Sequence, residues 1–491
     1  MNRRVLPEPA LSRRGFLAGA VALAAGSKLV PTAKAKAAPF AAAPQRFVSR
    51  PDLRPPVVAV STASETASTG HIFIAPFQIT GKAGPNYGAL ILDGLGQPVW
   101  FKPEPTKTAM NLRVQTYNGK PVITWYEGDV LGGYGGDFIV ADQSYREIAR
   151  VKAGHGEHGD LHEFLLTSRG TALITIYSNI PADLTSVGGP PNGQLTEGVI
   201  QEIDVPSGKV LTEWRSSAHV GLDESYLPSV KGGVADYFHL NSVGVDTDGH
   251  LLVSARHTST VYKVHRRTGA VLWRLGGEHS DFTIVPGAEF SFQHDVRRHA
   301  DGTLTIFDNN AAAPTSTTHA RPIRLSLDMG AMSARLVGEY QPESPRVAWA
   351  MGNVEQLSDG GAFVGWGTAG AFTEFAPDGT VRFDATLADG SVTYRAFRAE
   401  WNGRPAEPPK VAITSDAGGP LAHVSWNGAT GVARWRADVG SRRTALHPVA
   451  TARRTGFETI VRLGSSKGYV ALTALDGAGK VLGTSAVHRL V

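Results

Sequence analysis

Five positions in this chain share an offset that brings residues able to do chemistry together. Asn111, His162, Asn241 and His294 each lie eight residues before a glycine in a short polar turn, at Gly119, Gly170, Gly249 and Gly302. Asn353 lies seven before Gly360. All five are His or Asn. His239 precedes Asn241 by two, so on an extended segment both side chains face the same way. Arg256 ends the apolar segment that follows them. Such a shell is polar, and an arginine taken out of water without a carboxylate partner calls for an anionic ligand. Tyr126, Tyr177, Tyr237 and Trp366 are the aromatic residues near the same ends of these segments, candidates to stack on a ring.

The elements that must position them repeat. A small, acidic or basic residue plus Gly precedes an apolar run at Asn118-Gly119, Arg169-Gly170, Asp248-Gly249, Asp301-Gly302 and Asp359-Gly360. After each run come a further apolar segment and, in several copies, a Gly-x-Val/Leu phrase such as Gly208-Lys209-Val210, Gly269-Ala270-Val271 or Gly379-Thr380-Val381. One more strand precedes each copy. Four strands per unit is the blade of a β-propeller, and the innermost strand of each blade would carry the His/Asn positions into one central channel. A less regular unit at the N-terminus runs through His71, Ala89 and Val99. The expectation is all-β: a six-bladed β-propeller over residues 56–402, or seven blades if the N-terminal segment supplies a last strand. A small C-terminal immunoglobulin-like or fibronectin-like β-sandwich is expected over 405–491, with Pro405, Pro408 and Pro409 as a hinge. The 56 glycines and 30 prolines rule out long helices.

Other chemistry is excluded or weakened. The absence of cysteine removes disulfides, thiolate nucleophiles and Cys-ligated zinc. No P-loop, dinucleotide fingerprint or Gly-x-Ser-x-Gly elbow occurs. Glu163 and Asp295 directly follow His162 and His294, so alternation turns them away from the channel, against a paired-carboxylate glycosidase. His155-Gly156-Glu157-His158 is weak evidence for a metal, and no metal is expected.

The first 37 residues read as a twin-arginine (Tat) signal peptide: Ser12-Arg13-Arg14-Gly15-Phe16-Leu17, then an Ala/Gly-rich run, then Ala35-Lys36-Ala37. Residues 38–55 would be a linker. Seven basic residues against Glu8 give this segment +6, so the formal +4 of the whole chain becomes about −2 after cleavage. No basic stripe with interleaved aromatics remains, so no nucleic-acid partner is expected. The expected location is outside the cytoplasm, in the periplasm, at the cell envelope or extracellular, reached through the Tat translocon.

The phrases Asp160-Leu-His-Glu-Phe164, Asp236-Tyr-Phe-His-Leu-Asn-Ser242, Leu272-Trp-Arg-Leu-Gly-Gly277, Phe292-Gln-His-Asp295, Gly352-Asn-Val354 and Phe363-Val-Gly-Trp-Gly367 resemble the bacterial arylsulfate sulfotransferase family. The resemblance covers roughly residues 65–490, including Ser425-Trp-Asn-Gly-Ala-Thr430. It implies a six-bladed propeller that moves a sulfuryl group from a phenolic sulfate ester to a phenol, with neither a nucleotide sulfate donor nor a cofactor. By motif, His239 and Asn241 match the family's His-x-Asn pair, Arg256 its arginine, His162 its upstream histidine and His294 its nucleophile. Asn353, Asn111, Tyr177 and Trp366 are then candidates for binding substrate. Lacking the disulfide of better-known members, the chain falls in a divergent cysteine-free branch. The other readings are a non-catalytic binding propeller of the cell envelope, or another propeller enzyme such as a quinone- or metal-dependent oxidoreductase or a lyase.

Overall fold

The computed structural model describes residues 43–490 apart from 82, 130–134, 228, 229, 231, 312–318, 465 and 466. The signal-peptide reading of residues 1–37 lies outside the described residues.

The protein is all-β, with helical structure among the described residues limited to single 3-10 turns. Among the described residues, six sheets of four or more strands with antiparallel main ladders follow one another from residue 58 to 399, the third and fifth each adding one short parallel strand, and Pro76–Phe77 pairs with Val392–Thr393 as a separate two-stranded sheet. In the second sheet Thr108–Tyr117, Lys120–Gly128, Asp137–Ala141 and Glu147–Val151 pair in chain order. The third is built from Phe164–Leu166, Thr171–Ala182, Gly193–Asp204 and Val210–Arg215, and the fourth from Leu240–Val245, Leu251–Ala255, Thr260–Val264 and Val271–Gly276. The fifth runs His294–Arg298, Leu304–Asp308, Arg321–Asp328, Ser333–Glu339, and the sixth Asn353–Gln356, Ala362–Gly365, Ala371–Phe375, Val381–Leu387.

The first sheet is different, because its leading strand comes from the far end of the chain. Phe397–Ala399 pairs with His71–Ile74, which continues to Gly88–Leu92 and Pro98–Pro103. This return joins the end of the ring to its beginning. The N-terminal strand Val58–Ala63 does not start a seventh sheet; it adds to the outer edge of the sixth, beside Val381–Leu387.

Six apolar clusters lie between consecutive sheets, which shows why the ring is closed. Phe138 and Val140 of the second sheet pack with Phe164 and Ile174 of the third. Leu173 and Ile200 of the third meet Val243 and Val253 of the fourth. Leu252 and Val261 meet Ile306 and Ile323 of the fifth. Phe307 meets Val354 and Trp366 of the sixth. Phe363 and Phe383 then meet Ile72 and Leu90 of the first, whose Phe73 and Ile91 meet Leu112 and Ile123 of the second. Strands such as Leu251–Ala255 are buried along their whole length because both faces of the sheet are covered. Outer strands such as Val381–Leu387 regain the alternation of a half-exposed strand.

The five turn glycines of the repeat have φ of 73° at Gly119, 73° at Gly170, 82° at Gly249, 82° at Gly302 and 88° at Gly360. That left-handed region is open to glycine without strain, which explains why the turn residue is the constant of the repeat.

After residue 409 two further sheets enclose a separate core of Val424, Trp435, Ala437, Val461, Val470 and Leu472. The segment before them is no free hinge. Arg404 N–H donates to Gln143 O at 2.7 Å and Thr430 N–H to Gly403 O at 3.3 Å. Asn427 holds Phe101 like a β-partner, accepting from its N–H at 2.9 Å and donating to its carbonyl at 3.0 Å. Tyr145 stacks on Trp100 and donates its hydroxyl to Gly428 O at 2.6 Å. These contacts tie the C-terminal sheets to the first and second sheets of the ring, overriding the flexibility expected around Pro405, Pro408 and Pro409.

Candidate functional site

The innermost strands of the third, fourth and fifth sheets begin at His162, His239 and His294, within two residues of each strand start. Pairing there is irregular. The register shifts between Leu240 and Ser242 and between His294 and Arg297, and His239 and Asp295 carry φ of 52° and 51°. Such bulges turn side chains out of the pleat and occur next to working sites, and a non-glycine left-handed residue persists only where its surroundings hold it.

These irregular starts gather imidazoles. The rings of His162 and His239 stand edge to face with centroids 5.2 Å apart, and His239 lies 4.5 Å from His257. Tyr177 is 5.2 Å from His162 and 5.5 Å from His239. Tyr394, just before the leading strand of the first sheet, touches His162 at 5.5 Å and His294 at 6.3 Å. Tyr394 thus bridges the third and fifth sheets across the ring.

Each imidazole has a fixed partner. His162 Nδ1 donates to Asp160 Oδ1 at 2.6 Å, and His239 Nδ1 to Asp236 Oδ2 at 2.5 Å. His294 Nδ1 donates to Asn309 Oδ1 at 2.6 Å. Burial drives the pKa of His294 well below the ordinary imidazole value, assisted by the nearby Arg256 charge, and it lowers His239 in the same way. Burial pushes His257 down to about 3. These rings are therefore neutral at pH 7. Burial also raises the Asp236 carboxyl above its usual range, against the pull of His257, His162 and Arg256.

Arg256 supplies the positive charge. It is 8% exposed, lies over the Phe292 ring with its guanidinium carbon 4.6 Å from the centroid, and donates to Trp349 O at 3.1 Å and to His257 Nε2 at 2.9 Å. Its Nε–H is buried without a hydrogen-bond partner, and the Asp236 carboxylate acts on it through space without forming an ion pair among the described residues. Burial lowers its pKa to about 10, which leaves it cationic. A buried guanidinium with an unspent donor is suited to an anion.

Asp236, His239 and His257 place three potential ligand atoms within 4.8 Å of one another. A metal ion does not suit them. His257 Nδ1 is already committed to Asp236 O at 2.5 Å, and its Nε2 lone pair faces the Arg256 guanidinium.

A second layer at the centre of the ring is made of ion pairs. Glu163, fully buried, bonds Arg113 of the second sheet at 2.7 Å, Arg395 beside the first at 3.2 Å and also Arg297 of the fifth. Asp295 pairs with Arg297 at 2.7 Å and Arg395 at 3.3 Å. Burial alone would raise Glu163, but the three arginines hold it far below the carboxylate range. The expectation that Glu163 and Asp295 turn away from the channel is thus corrected: bulged strand starts break the alternation, and arginines from three sheets draw both carboxylates to the axis.

Of the residues singled out in the sequence, His162, His239, Arg256, His294 and Tyr177 come together. Asn241 lies beneath them, donating to Gln293 O at 2.6 Å while its Oδ1 is buried and unpartnered. Asn111 and Asn353 act between sheets: Asn111 Nδ2 donates to His162 O at 3.4 Å, and Asn353 exchanges bonds with Ala396 N and O at 2.9 Å each. Trp366 is fully buried in the core between the fifth and sixth sheets, its Nε1–H spent on Thr373 Oγ1 at 2.9 Å. Tyr126 and Tyr237 are likewise core residues. His155 is exposed and faces Glu213 of the outer strand Val210–Arg215 at 2.9 Å.

Sequence reasoning missed Asp160, Asp236, His257, Asn309, Tyr394 and Met351, whose backbone N–H donates to His294 Nε2 at 3.2 Å. The first two had a signal, an Asp two or three residues before each His. Tyr394 had none, because the chain end that completes the first sheet lacks the turn glycine from which the offset was counted.

A family model described as Arylsulfotransferase (ASST) matches residues 113–388. No curated protein matches the chain. Among solved structures, a protein of unknown function from Bacteroides caccae is 13% identical, covering 67% of this chain and 99% of its own, with a TM-score of 0.42. A streptogramin B lyase is 11% identical, covering 75% and 94%, at 0.35. A periplasmic gluconolactonase of Pseudomonas aeruginosa is 14% identical, covering 86% and 99%, at 0.33.

Proposed function

The chain belongs to the arylsulfotransferase family, and we propose that it moves a sulfuryl group from a phenolic sulfate ester to a phenol, with His294 holding the group as a sulfohistidine between two half-reactions. The observation that carries this reading is Arg256, a buried guanidinium with an unspent N–H, set beside the neutral imidazoles of His294 and His257. A sulfate ester brings the negative charge that Arg256 lacks, and the guanidinium would hold the sulfuryl oxygens as charge shifts in the transition state.

In the first half-reaction the Nε2 lone pair of His294 forms an N–S bond while the S–O bond to the phenol breaks. The phenolate leaves with that electron pair and takes the Nε2 proton of His162, which enters this step as the imidazolium with its Nδ1–H held by Asp160 and leaves it neutral. In the second, the acceptor phenol loses its proton to the same imidazole, its oxygen attacks sulfur, and the N–S electron pair returns to His294. His239, backed by Asp236, and Asn241 border the same space. Tyr177, rather than Trp366, is the aromatic whose ring borders the imidazoles.

We read the ring of sheets as a six-bladed β-propeller over residues 56–402 that carries the chemistry, with a β-sandwich over 405–491 as an accessory module. Tat export of a folded protein, directed by residues 1–37, would place it in the periplasm, at the envelope or outside the cell.

Incubation with 4-nitrophenyl sulfate and a phenol tests the proposal. Transfer should appear as nitrophenolate release that depends on added phenol. An inert protein would favour a non-catalytic binding propeller instead.

A further inference from the structure

The three clustered histidines differ in what stands behind them. His162 and His239 donate from Nδ1 to aspartates, whereas His294 donates to the side-chain oxygen of Asn309 at 2.6 Å. The orientation of that amide is settled by its other end. Asn309 Nδ2 donates to two carbonyls, Ala348 O at 2.7 Å and Met351 O at 3.0 Å, so its Oδ1 must face His294 as an acceptor. The opposite ring nitrogen is settled as well. Met351 N–H, which can only donate, points at His294 Nε2 at 3.2 Å. His294 therefore carries its proton on Nδ1 and a lone pair on Nε2.

We infer that Asn309 is a positioning residue that fixes this tautomer of His294 with a neutral partner; the inference rests on the reading of His294 as the sulfuryl carrier. Two consequences follow from the chemistry. Without the acceptor at Nδ1 the proton is free to move to Nε2 and the nucleophilic lone pair is lost. A neutral amide also stabilises the cationic sulfo-imidazole ring less than a carboxylate would, so the N–S bond stays ready to break when the acceptor oxygen attacks. In each half-reaction the Nδ1 proton remains in place: the Nε2 pair makes the N–S bond in the first and recovers it in the second. The proton exchanged with phenol travels on His162. The long bond from Met351, a non-glycine residue with φ of 65°, is given up as sulfur approaches Nε2.

Asn309 also ties down the segment from Ala348 to Met351, so a purely structural role is the rival explanation. Two variants separate them. Asn309→Ala removes both the acceptor at Nδ1 and the ties to Ala348 and Met351. Asn309→Asp keeps an acceptor at Nδ1 but loses the amide donors to the two carbonyls. The measurements are the 15N shifts of the His294 ring in substrate-free protein and the burst of nitrophenolate from 4-nitrophenyl sulfate without phenol. In Asn309→Ala the ring should shift toward the Nε2–H form and the burst should fall at least about tenfold. In Asn309→Asp the Nδ1–H form and the burst should persist, while discharge of the adduct by phenol slows. Equal loss of the burst in both variants, or an unchanged tautomer in Asn309→Ala, overturns the inference. If Asn309→Ala does not fold, loss of the burst in folded Asn309→Asp overturns it. Because the tautomer is read without substrate, a tautomer shift in a protein that forms no adduct would reject the proposed carrier and leave the role of Asn309 standing.

Discussion

His162 and His239 come from neighbouring sheets, and their rings meet edge to face at 5.2 Å while each Nδ1 binds its own aspartate. This places two imidazoles with fixed Nδ1 partners against each other and leaves Nε2 as the nitrogen through which each can exchange a proton. His294, held by an amide, is set apart from both.

Arg256→Ala should lower sulfuryl transfer by about a hundredfold or more while leaving the fold intact, because it removes the cation from the anion site and not a member of an inter-sheet core. Steady-state rates beside a thermal melt check this. Near-normal turnover would remove Arg256 from the chemistry.

Asp160→Asn should make the enzyme sensitive to its leaving group. With Asp160 gone the His162 imidazolium is no longer stabilised, so esters of weakly acidic phenols, which need protonation as they leave, should slow by about 10²–10⁴-fold. The 4-nitrophenyl ester, whose phenolate leaves unaided, should be affected far less. A uniform loss across a series of phenol esters would reject His162 as the acid.

Glu163→Gln should be strongly destabilising. It leaves Arg113, Arg297 and Arg395 without the carboxylate that joins them, and breaking a buried pair in this way costs about 3–5 kcal/mol. Denaturant unfolding measures it, and a loss below about 1 kcal/mol would show that the network is dispensable.

The buried histidines themselves should oppose the folded state in acid. His239, His257 and His294 have lowered folded pKa values against an ordinary 6.5. The unfolded chain therefore takes up protons below about pH 6.5 that the folded chain refuses. Stability from these groups is full above that pH and is lost as pH falls toward the folded values; Glu163, held low, adds a further loss below its ordinary 4.5. Ring signals of His239, His257 and His294 followed by NMR from pH 7.5 to 4.5 should stay in the neutral form, and a ring that takes up its proton near pH 6.5 would contradict the assigned neutral states.

Much of this was legible in the sequence, for identifiable reasons. The turn glycines need a left-handed backbone, so Gly119, Gly170, Gly249, Gly302 and Gly360 marked the repeat, and the offset from them found His162 and His294. The same offset also returned Asn111 and Asn353, whose amides bind neighbouring sheets, because it locates an inner strand start and not a chemical role. Tyr394 and Asn309 escaped it: one sits on the strand that closes the ring from the far end of the chain, the other at the end of a second strand. Nor could alternation predict Glu163 and Asp295, since the bulges that aim the histidines also break the period of two.

The central claim is that His294 carries the sulfuryl group. Donor ester should be added without acceptor, the protein quenched under mildly alkaline conditions, and its peptides analysed by mass spectrometry. The account predicts one sulfuryl increment on the peptide containing His294, absent in His294→Ala and discharged by added phenol at a rate matching turnover. An adduct on His162 or His239, or turnover by a sequential rate law with no adduct at all, would contradict it.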